Sequence, residues 1–270
     1  MSRRGVACDL QVHSSLMDGG DEPEALIRAA IARGFDVIGF AERAPLDDGK
    51  TSRKRLAEYR DALISLRERY GYRIHVGVGI EQDLYEPPLE GFAFRVGVLP
   101  RLFHNGVFYP FSESAEALER TVREGFGGDG YRFVTAYFEA LVALSQKKDC
   151  RVIGALDLPS RVNGNGQLWS ESDPRYLRVA FDAIDALASR DVIFAVSTEA
   201  MRQGLRRIPQ PAPILLARIA QRGGRVTLAS GAHYARDVGD RLEMAVELLR
   251  IYGFRRIEIP GKSGWRSVGI

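Results

Sequence analysis

Short, nearly continuous apolar runs alternate along the chain with longer stretches whose apolar residues recur at helical spacing. Apolar runs without polar alternation are typical of parallel strands covered on both faces. Strands are predicted at residues 6–12, 37–40, 73–80, 94–99, 152–156 and 192–197, and after Gly223 and Gly253. Helices are predicted at residues 52–70, 115–124, 131–148, 174–190, 214–221 and 237–252. The alternation predicts a parallel sheet, and seven such units favour a barrel.

The first strand, helix, strand unit carries the clearest local signals. Asp21 stands three residues before Glu24, which is capping-box spacing, and Pro23 suits a first helical turn because no N–H partner is needed there. The helix is predicted to end at Gly34, where a glycine allows the left-handed turn that closes a helix. The same closure precedes the strands that follow Gly71, Gly223 and Gly253.

Length and composition predict one domain over residues 1–270. A chain of 270 residues with 45% hydrophobic residues can bury one large core, and a Pro-, Ser- or Gly-rich linker is missing from the sequence. Two longer, Gly-containing loops, at about 100–129 and 159–173, are predicted to cover the barrel mouth. The net charge of +3 is small and the basic residues are scattered, which argues against a nucleic-acid partner.

The cysteines and the N-terminus predict a cytoplasmic protein. Cys8 and Cys150 lie in or beside apolar runs without CxxC spacing, so they are interpreted as buried thiols in a reducing compartment. The opening MSRRGVACDL is too short and too polar for a signal peptide. The apolar runs fall short of the ~20 residues that a membrane helix needs, so membrane partners are not expected.

Polar residues follow the predicted strands at their C-terminal ends, where α/β barrels carry their sites. Any single one of them is explained by the start of a loop, but two histidines with several carboxylates at one mouth favour a metal or acid–base site. In chain order these residues are Gln11, His13, Asp18, Glu42, Arg43, Glu81, His104, Asp157, Thr198, Glu199 and His233.

The order of the segments DLQVHS, MDG, IGFAER, GIEQD, VIGALDL and SGAH resembles the PHP (polymerase and histidinol phosphatase) superfamily. The helical spacing and the C-terminal AVELLRIYGF are similar to its histidinol-phosphatase branch. The resemblance covers residues 9 to about 259. It implies a distorted seven-stranded TIM-like (βα)7 barrel that uses a cluster of metal ions to hydrolyse phosphate esters.

The chain departs from the metal-binding pattern that this resemblance implies. Gln11 stands where the first histidine of His-x-His is expected, and Arg43 stands where a histidine closes the second-strand motif. Ala155 and Gly231 replace a further histidine and an aspartate, and Pro100 falls at the fourth-strand histidine unless His104 substitutes for it. The ligand-type residues that remain are His13, Asp18, Glu81 and His233.

The reduced ligand set predicts that a trinuclear cluster does not form. Even the loss of one outer-shell partner lowers metal affinity by ~10–100-fold, and here several ligands are replaced. We expect either no metal or a single divalent ion, Zn²⁺, Mn²⁺ or Fe²⁺, held by His13, Glu81 and His233. The guanidinium of Arg43 both repels a cation and can pair with a carboxylate or with a substrate anion.

The favoured hypothesis is an enzyme acting on a small phosphorylated or carboxylated metabolite, by ester hydrolysis with one metal or by metal-independent chemistry. His13 or His233 is the expected acid–base group, oriented by Asp18 or Glu81. Arg43 is expected to bind the anion together with Arg161 or Arg202. Gln11, Glu42, His104, Asp157 and Glu199 complete the expected substrate-binding set.

Two alternatives stay open beside the enzyme. The first is an inactive relative in which the barrel serves as a ligand-binding or interaction scaffold, although four retained titratable residues at the mouth argue against simple decay. The second is association with RNA, which the modest net charge disfavours. The sequence does not specify an oligomeric state.

Overall fold

The computed structural model of the chain describes residues 6–44, 50–164 and 166–270. Three parts of the predicted domain lie outside this range: residues 1–5, residues 45–49, and Asn165 of the loop predicted at 159–173. Residues 1–5 belong to the opening segment from which the absence of a signal peptide was predicted. The strands are β1 (Cys8–Val12), β2 (Val37–Glu42), β3 (His75–Gln82), β4 (Phe94–Gly97), β5 (Arg101–His104), β6 (Val107–Pro110), β7 (Val152–Ile153), β8 (Ile193–Ser197), β9 (Arg225–Ala229), β10 (Arg256–Gly261) and β11 (Gly264–Gly269). The helices are α1 (Pro23–Ala32), α2 (Lys50–Tyr70), α3 (Ala115–Phe126), α4 (Gly130–Leu144), α5 (Pro174–Ala188), α6 (Glu199–Arg202), α7 (Pro213–Gln221) and α8 (Leu242–Ile251).

The predicted barrel is confirmed. Within the described residues, seven strands close a barrel in the order β1-β2-β3-β4-β7-β8-β9, and every pair in it is parallel. The run after Gly253, predicted as a strand, forms β10, which lies outside the barrel and pairs with β11 in an antiparallel hairpin. All six residues of β2 are buried, as expected for strands covered on both faces.

The aromatic ring of Phe94, the first residue of β4, packs inside the barrel. A Cβ on Gly39 of β2 would lie 3.1 Å from the ring of Phe94, and one on Gly79 of β3 would lie 2.4 Å from it. The two glycines therefore make room for Phe94, which packs with Ala41, Val96 and other small or branched residues inside the barrel. Phe94 in turn meets Trp265 of β11 edge to face, with ring centroids 6.0 Å apart.

The hairpin of β10 and β11 lies at the N-terminal ends of the strands. Arg225, which begins β9, faces Glu258 of β10 with 3.8 Å between Nη2 and Oε2. Arg266 of β11 faces Asp36, which precedes β2, at 3.9 Å. The hairpin therefore covers the end of the barrel opposite the predicted mouth.

Two predicted local features are wrong. The capping box of Asp21 is not formed, because Asp21 accepts a hydrogen bond from the backbone N–H of Ala235 at 2.8 Å and Glu22 occupies the N-cap. The segment 100–129, predicted as a mouth loop apart from the helix at 115–124, also contains the β5–β6 hairpin, whereas the predicted helix is present as α3, whose N-cap Ser114 accepts from the N–H of Ala117 at 3.2 Å. Turn residues Asn105 and Gly106, both with positive φ, join the two strands of that hairpin.

Other predictions hold with shifted bounds. Helix α8 begins at Leu242 rather than 237, because Arg241 has a φ of 57° and interrupts the helical backbone. Asp173 caps α5 by accepting from the N–H of Arg175 at 2.8 Å. Cys8 and Cys150 are buried free thiols. Among the described residues, no helix combines the length and apolar character required to cross a membrane.

Candidate active site

A cavity of about 370 Å³ opens at the C-terminal ends of the barrel strands. Its position matches the end at which α/β barrels carry their sites. Six residues predicted from the sequence line it, and they come from different strand ends of the barrel: Gln11, His13, Arg43, Glu81, Arg161 and Glu199.

His13 is the most connected of these residues. It follows β1 directly and its side chain is 3% exposed. Its Nδ1 lies 3.0 Å from Oδ1 of Asp18, in the turn after the strand, and its ring stacks on His233 with centroids 4.4 Å apart and planes 5° apart. The backbone N–H of His13 donates to the carbonyl of Ala232 at 2.8 Å, so the stacked rings come from two hydrogen-bonded segments.

Glu81 links the histidine to Arg43 and Gln11. The Nε2 of Gln11 donates to Oε1 of Glu81 at 2.8 Å, and Nε2 of His13 lies 3.7 Å from the same oxygen. The Nε of Arg43 lies 3.4 Å from Oδ2 of Asp18 and 3.9 Å from Oε2 of Glu81. The guanidinium thus faces two carboxylates while 59% of its side chain stays exposed at the mouth.

Glu42 lies beneath this group at the end of β2. Its Oε1 accepts from both the N–H and the hydroxyl of Ser14, each at 2.6 Å. Its Oε2 is buried without a hydrogen-bond partner among the described residues and lies 3.8 Å from Nδ1 of His13. Burial raises the pKa of Glu42, so this carboxyl accepts a proton more readily than an exposed one.

The carboxylates around His13 set its charge. Burial works against the charged imidazole, but the hydrogen bond to Asp18 and the charges of Glu81, Asp18 and Glu42 outweigh it and raise the pKa of His13 to about 9. Burial also raises the pKa of Asp18, but the hydrogen bond and charge of His13 prevail and hold it well below its usual range. Burial and the charge of His13 lower the pKa of His233. The two stacked rings therefore differ in charge at neutral pH.

The donor atoms here fit one metal ion. One ligand atom each of His13, Asp18 and His233 can be chosen so that all lie within 4.8 Å of one another. Two imidazoles and a carboxylate are suitable ligands for Zn²⁺ and for other divalent transition metals. The set differs from the predicted one, which had Glu81 in the place of Asp18. Arg43 contacts Asp18 and Glu81 from the other side, where its charge disfavours a second cation.

A second charged pair, Arg161 and Glu199, also lines the cavity. Nη1 of Arg161 donates to Oε2 of Glu199 at 2.8 Å. Arg161 comes from the 3₁₀ turn Leu158–Arg161 after β7, and its Nε is buried without a hydrogen-bond partner in the described part of the chain. Burial raises the pKa of Glu199, but the charge and hydrogen bond of Arg161 together with the charges of His13 and Arg43 outweigh this and lower it, so the pair is ionised.

Asp18, Glu42 and His233 do not line the cavity themselves but lie against His13, and three further predicted site residues lie apart from both within the described residues. His104 ends β5 and stacks on Phe126 with centroids 4.5 Å apart. Asp157 is buried and accepts hydrogen bonds from the side chain of Gln210 at 3.1 Å and the N–H of Ala212 at 2.9 Å. Arg202 donates to the backbone carbonyls of Ser230 and Gly231. These side chains contact protein groups instead of the cavity.

Several lining residues were missed by the sequence analysis. Asp83 and Glu86, in the segment after β3, line the cavity and both pair with Arg101 of β5. Asp83 follows Glu81 closely, so the strand-end rule could have found it. Gln210 reaches the cavity from an irregular segment that carries no sequence signal, and its backbone pairs with Ser197 of β8.

Comparisons with known proteins agree with this architecture. The family model described as the PHP domain matches residues 9–199, a segment that contains His13, Asp18, Arg43 and Glu81. A probable histidinol-phosphatase of Deinococcus radiodurans is 24% identical over 261 residues, covering 93% of this chain and 95% of that protein. A probable histidinol-phosphatase of Schizosaccharomyces pombe is 23% identical over 252 residues, covering 84% of this chain and 79% of that protein.

Two solved structures share the fold. The putative histidinol phosphatase of Listeria monocytogenes superimposes with a TM-score of 0.72 at 18% identity, covering 86% of this chain and 97% of that one. The histidinol phosphate phosphatase of Lactococcus lactis, complexed with zinc, L-histidinol and phosphate, superimposes with a TM-score of 0.68 at 18% identity, covering 96% of this chain and 98% of that one. At this identity the likeness concerns the fold.

Proposed function

This chain belongs to the PHP domain family, and on that premise we propose that it hydrolyses a small phosphate monoester at the C-terminal mouth of its barrel. The observation that carries the proposal is the convergence of His13, Asp18, Glu81 and Arg43, with every neighbouring pair within 3.9 Å. Polar residues that follow strands only because a loop begins there would not bring an imidazole, two carboxylates and a guanidinium to one point.

Two arginines support recognition of the phosphate. Arg43 and Arg161 both line the cavity, and guanidinium groups match the geometry of phosphate oxygens. Glu199 holds one terminal nitrogen of Arg161 at 2.8 Å and so fixes the plane of its guanidinium. Arg202, a third expected anion ligand, is left out because its terminal nitrogens already donate to backbone carbonyls.

The acidic residues of the cavity lining support a substrate that also carries a positive charge. Asp83, Glu86 and Glu113 line the cavity, and within the described part of the chain Asp83 and Glu86 pair with Arg101. Three carboxylates with one guanidinium leave an excess of negative charge, which favours a cationic group. The Lactococcus relative is complexed with L-histidinol and phosphate, so we take L-histidinol phosphate, a phosphate ester of an amino alcohol, as the first substrate to test.

A single divalent ion fits the site, with His13, Asp18 and His233 as its ligands. Such an ion supplies Lewis-acid polarisation of a phosphoryl oxygen and lowers the pKa of bound water. Side chains of the protein itself would accept the proton and orient the phosphate. Gln11 occupies Oε1 of Glu81 at 2.8 Å, which leaves Oε2 to accept a proton, while Arg43 and Arg161 orient the phosphate.

The test is an assay of purified protein with L-histidinol phosphate and a panel of phosphate monoesters. Metal content is measured beforehand, and the assay is repeated after chelation and after adding back Zn²⁺ or Mn²⁺. We expect at most one ion per chain and phosphate release that chelation removes and metal restores. Undiminished activity after complete chelation would favour metal-independent chemistry by the His13–Asp18 pair. Ligand binding without turnover of any ester would favour the scaffold alternative.

A further inference from the structure

The segment 230–239 connects β9 to the start of α8 and carries His233 to the mouth. We propose that Asp9 and Arg202 are positioning residues for His233: together they fix the backbone of this segment from beneath, and neither contacts the substrate. The inference rests on the proposed function in one respect, that His233 belongs to the site.

Asp9 holds the segment at both ends. It lies in β1, and its side chain is fully buried. Its Oδ1 accepts from the N–H of Ser230 at 2.8 Å, while its Oδ2 accepts from the hydroxyl of Ser230 at 2.6 Å and the N–H of Gly239 at 2.8 Å. One carboxylate thus closes the base of the loop. An amide cannot replace it, because in either orientation its NH₂ group would face a backbone N–H, that of Ser230 or that of Gly239, and cannot accept from it.

Arg202 holds the carbonyls that precede His233. It ends α6, and Nη1 donates to the carbonyl of Ser230 at 2.7 Å while Nη2 donates to that of Gly231. Gly231 has a φ of 59°, and a Cβ there would lie 2.8 Å from Cβ of Glu199. The sharp turn therefore packs against the residue that pairs with Arg161.

These anchors act on the two stacked imidazoles. The carbonyl of Ala232 accepts from the N–H of His13 at 2.8 Å, and that of His233 accepts from the N–H of Gly20 at 2.8 Å. A shift of segment 230–239 would therefore change the position of the His233 ring relative to the His13 ring. Hydrogen-bonding partners behind metal ligands commonly set their orientation, and losing one typically lowers metal affinity by ~10–100-fold.

The experiment uses the four histidines of the chain as reporters. Their Cε1–Hε1 resonances are recorded by NMR in metal-free wild-type protein, D9N, R202M and R202K, and assigned with single His→Gln variants. We expect D9N and R202M to move the His13 and His233 signals more than those of His75 and His104, which lie elsewhere. We expect R202K to restore part of the shift. Zinc affinity, measured by competition with a chelating dye, should fall by ~10–100-fold in D9N and R202M.

The control is R218M, which removes a salt bridge between α7 and α5 at 2.6 Å far from the mouth. It should lower stability without moving His13 or His233. Unchanged His13 and His233 signals in folded D9N and R202M would overturn the proposal. If D9N does not fold, S230A, which removes only the hydroxyl contact with Asp9, replaces it with the same expected shifts. If the wild type hydrolyses no ester, the proposed function fails, while the histidine spectra still decide the positioning role.

Discussion

At the N-terminal end of the barrel, Phe94 and Trp265 meet edge to face and the β10–β11 hairpin covers the strands. At the C-terminal end the same strands finish in His13 and Glu81, which line an open cavity of about 370 Å³. Aromatic rings close the N-terminal end, whereas imidazoles and carboxylates surround the cavity at the C-terminal end. The apolar end stabilises the barrel by burial, and the polar end is held by hydrogen bonds among groups that can also bind a ligand.

Aspartates near the mouth also differ from one another in the groups with which they form hydrogen bonds. Asp18 bonds the His13 ring, which lines the cavity, while Asp9 and Asp157 each accept hydrogen bonds from backbone N–H groups and from one neutral side chain. A carboxylate that accepts from the backbone positions a loop, and one that faces an imidazole or a guanidinium can take part in chemistry. Position after a strand does not distinguish the two roles, but the identity of the bonded partner does.

The largest effect is expected for H13Q at the polar end. It removes one of the proposed metal ligands, and a catalytic metal contributes several kcal/mol to the transition state, so kcat/KM should fall by about 10²–10⁴-fold. Steady-state kinetics with the best ester substrate measures it. The matched control is H104Q, which removes a histidine stacked on Phe126 and should retain activity. Equal losses in both variants would contradict a functional difference between the two histidines.

The next largest effect is expected for W265A at the apolar end. Removal of a fully buried aromatic ring costs ~3–5 kcal/mol, and Trp265 is only partly buried, so the free energy of unfolding should fall by about 2–3 kcal/mol. Urea denaturation measures it, with kcat of the folded fraction as the second readout. Tyr72, which is 82% exposed, provides the control Y72A with little change. A large drop in kcat of W265A without a loss of stability would contradict the view that the N-terminal end stabilises the barrel and only the C-terminal end takes part in catalysis.

R161M tests the anion-binding wall. Loss of the guanidinium should raise KM about 10-fold, because a charge-assisted hydrogen bond contributes roughly 1.5–3 kcal/mol to binding and part of this is already committed to Glu199. R161K should recover part of the affinity because it keeps the charge without the planar fork. Inhibition by inorganic phosphate should weaken in parallel. A KM unchanged in R161M would remove Arg161 from the proposed phosphate site.

The fold was largely predictable because its strands are continuous apolar runs and several of its helices, such as α1 and α8, are closed by a glycine. The β5–β6 hairpin was missed, since two four-residue strands with exposed Phe103 and Phe108 have neither a buried run nor alternation. The mouth residues His13 and Glu81 were found by their place after strands. Asp157 was predicted by the same rule, and Arg202 as a basic residue that the resemblance implies near the mouth, yet their partners lie far away in sequence, at Ala212 and Ser230. Such partners are fixed only by tertiary packing.

The smallest expected effect concerns the imidazole at the apolar end. His75 begins β3, and burial together with the charges of Arg67, Arg266 and Lys262 lowers its pKa below the ordinary value of 6.5. The unfolded chain therefore binds more protons as the pH falls through 6.5, so the ionisation of this group leaves the stability unchanged at higher pH and lowers it below that value. The difference in free energy of unfolding between wild type and H75Q should thus decrease from pH 7.5 to pH 5.5, measured by urea denaturation. A difference independent of pH would show that His75 is not held among cations as the structure places it, and would weaken the contrast with His13 among carboxylates.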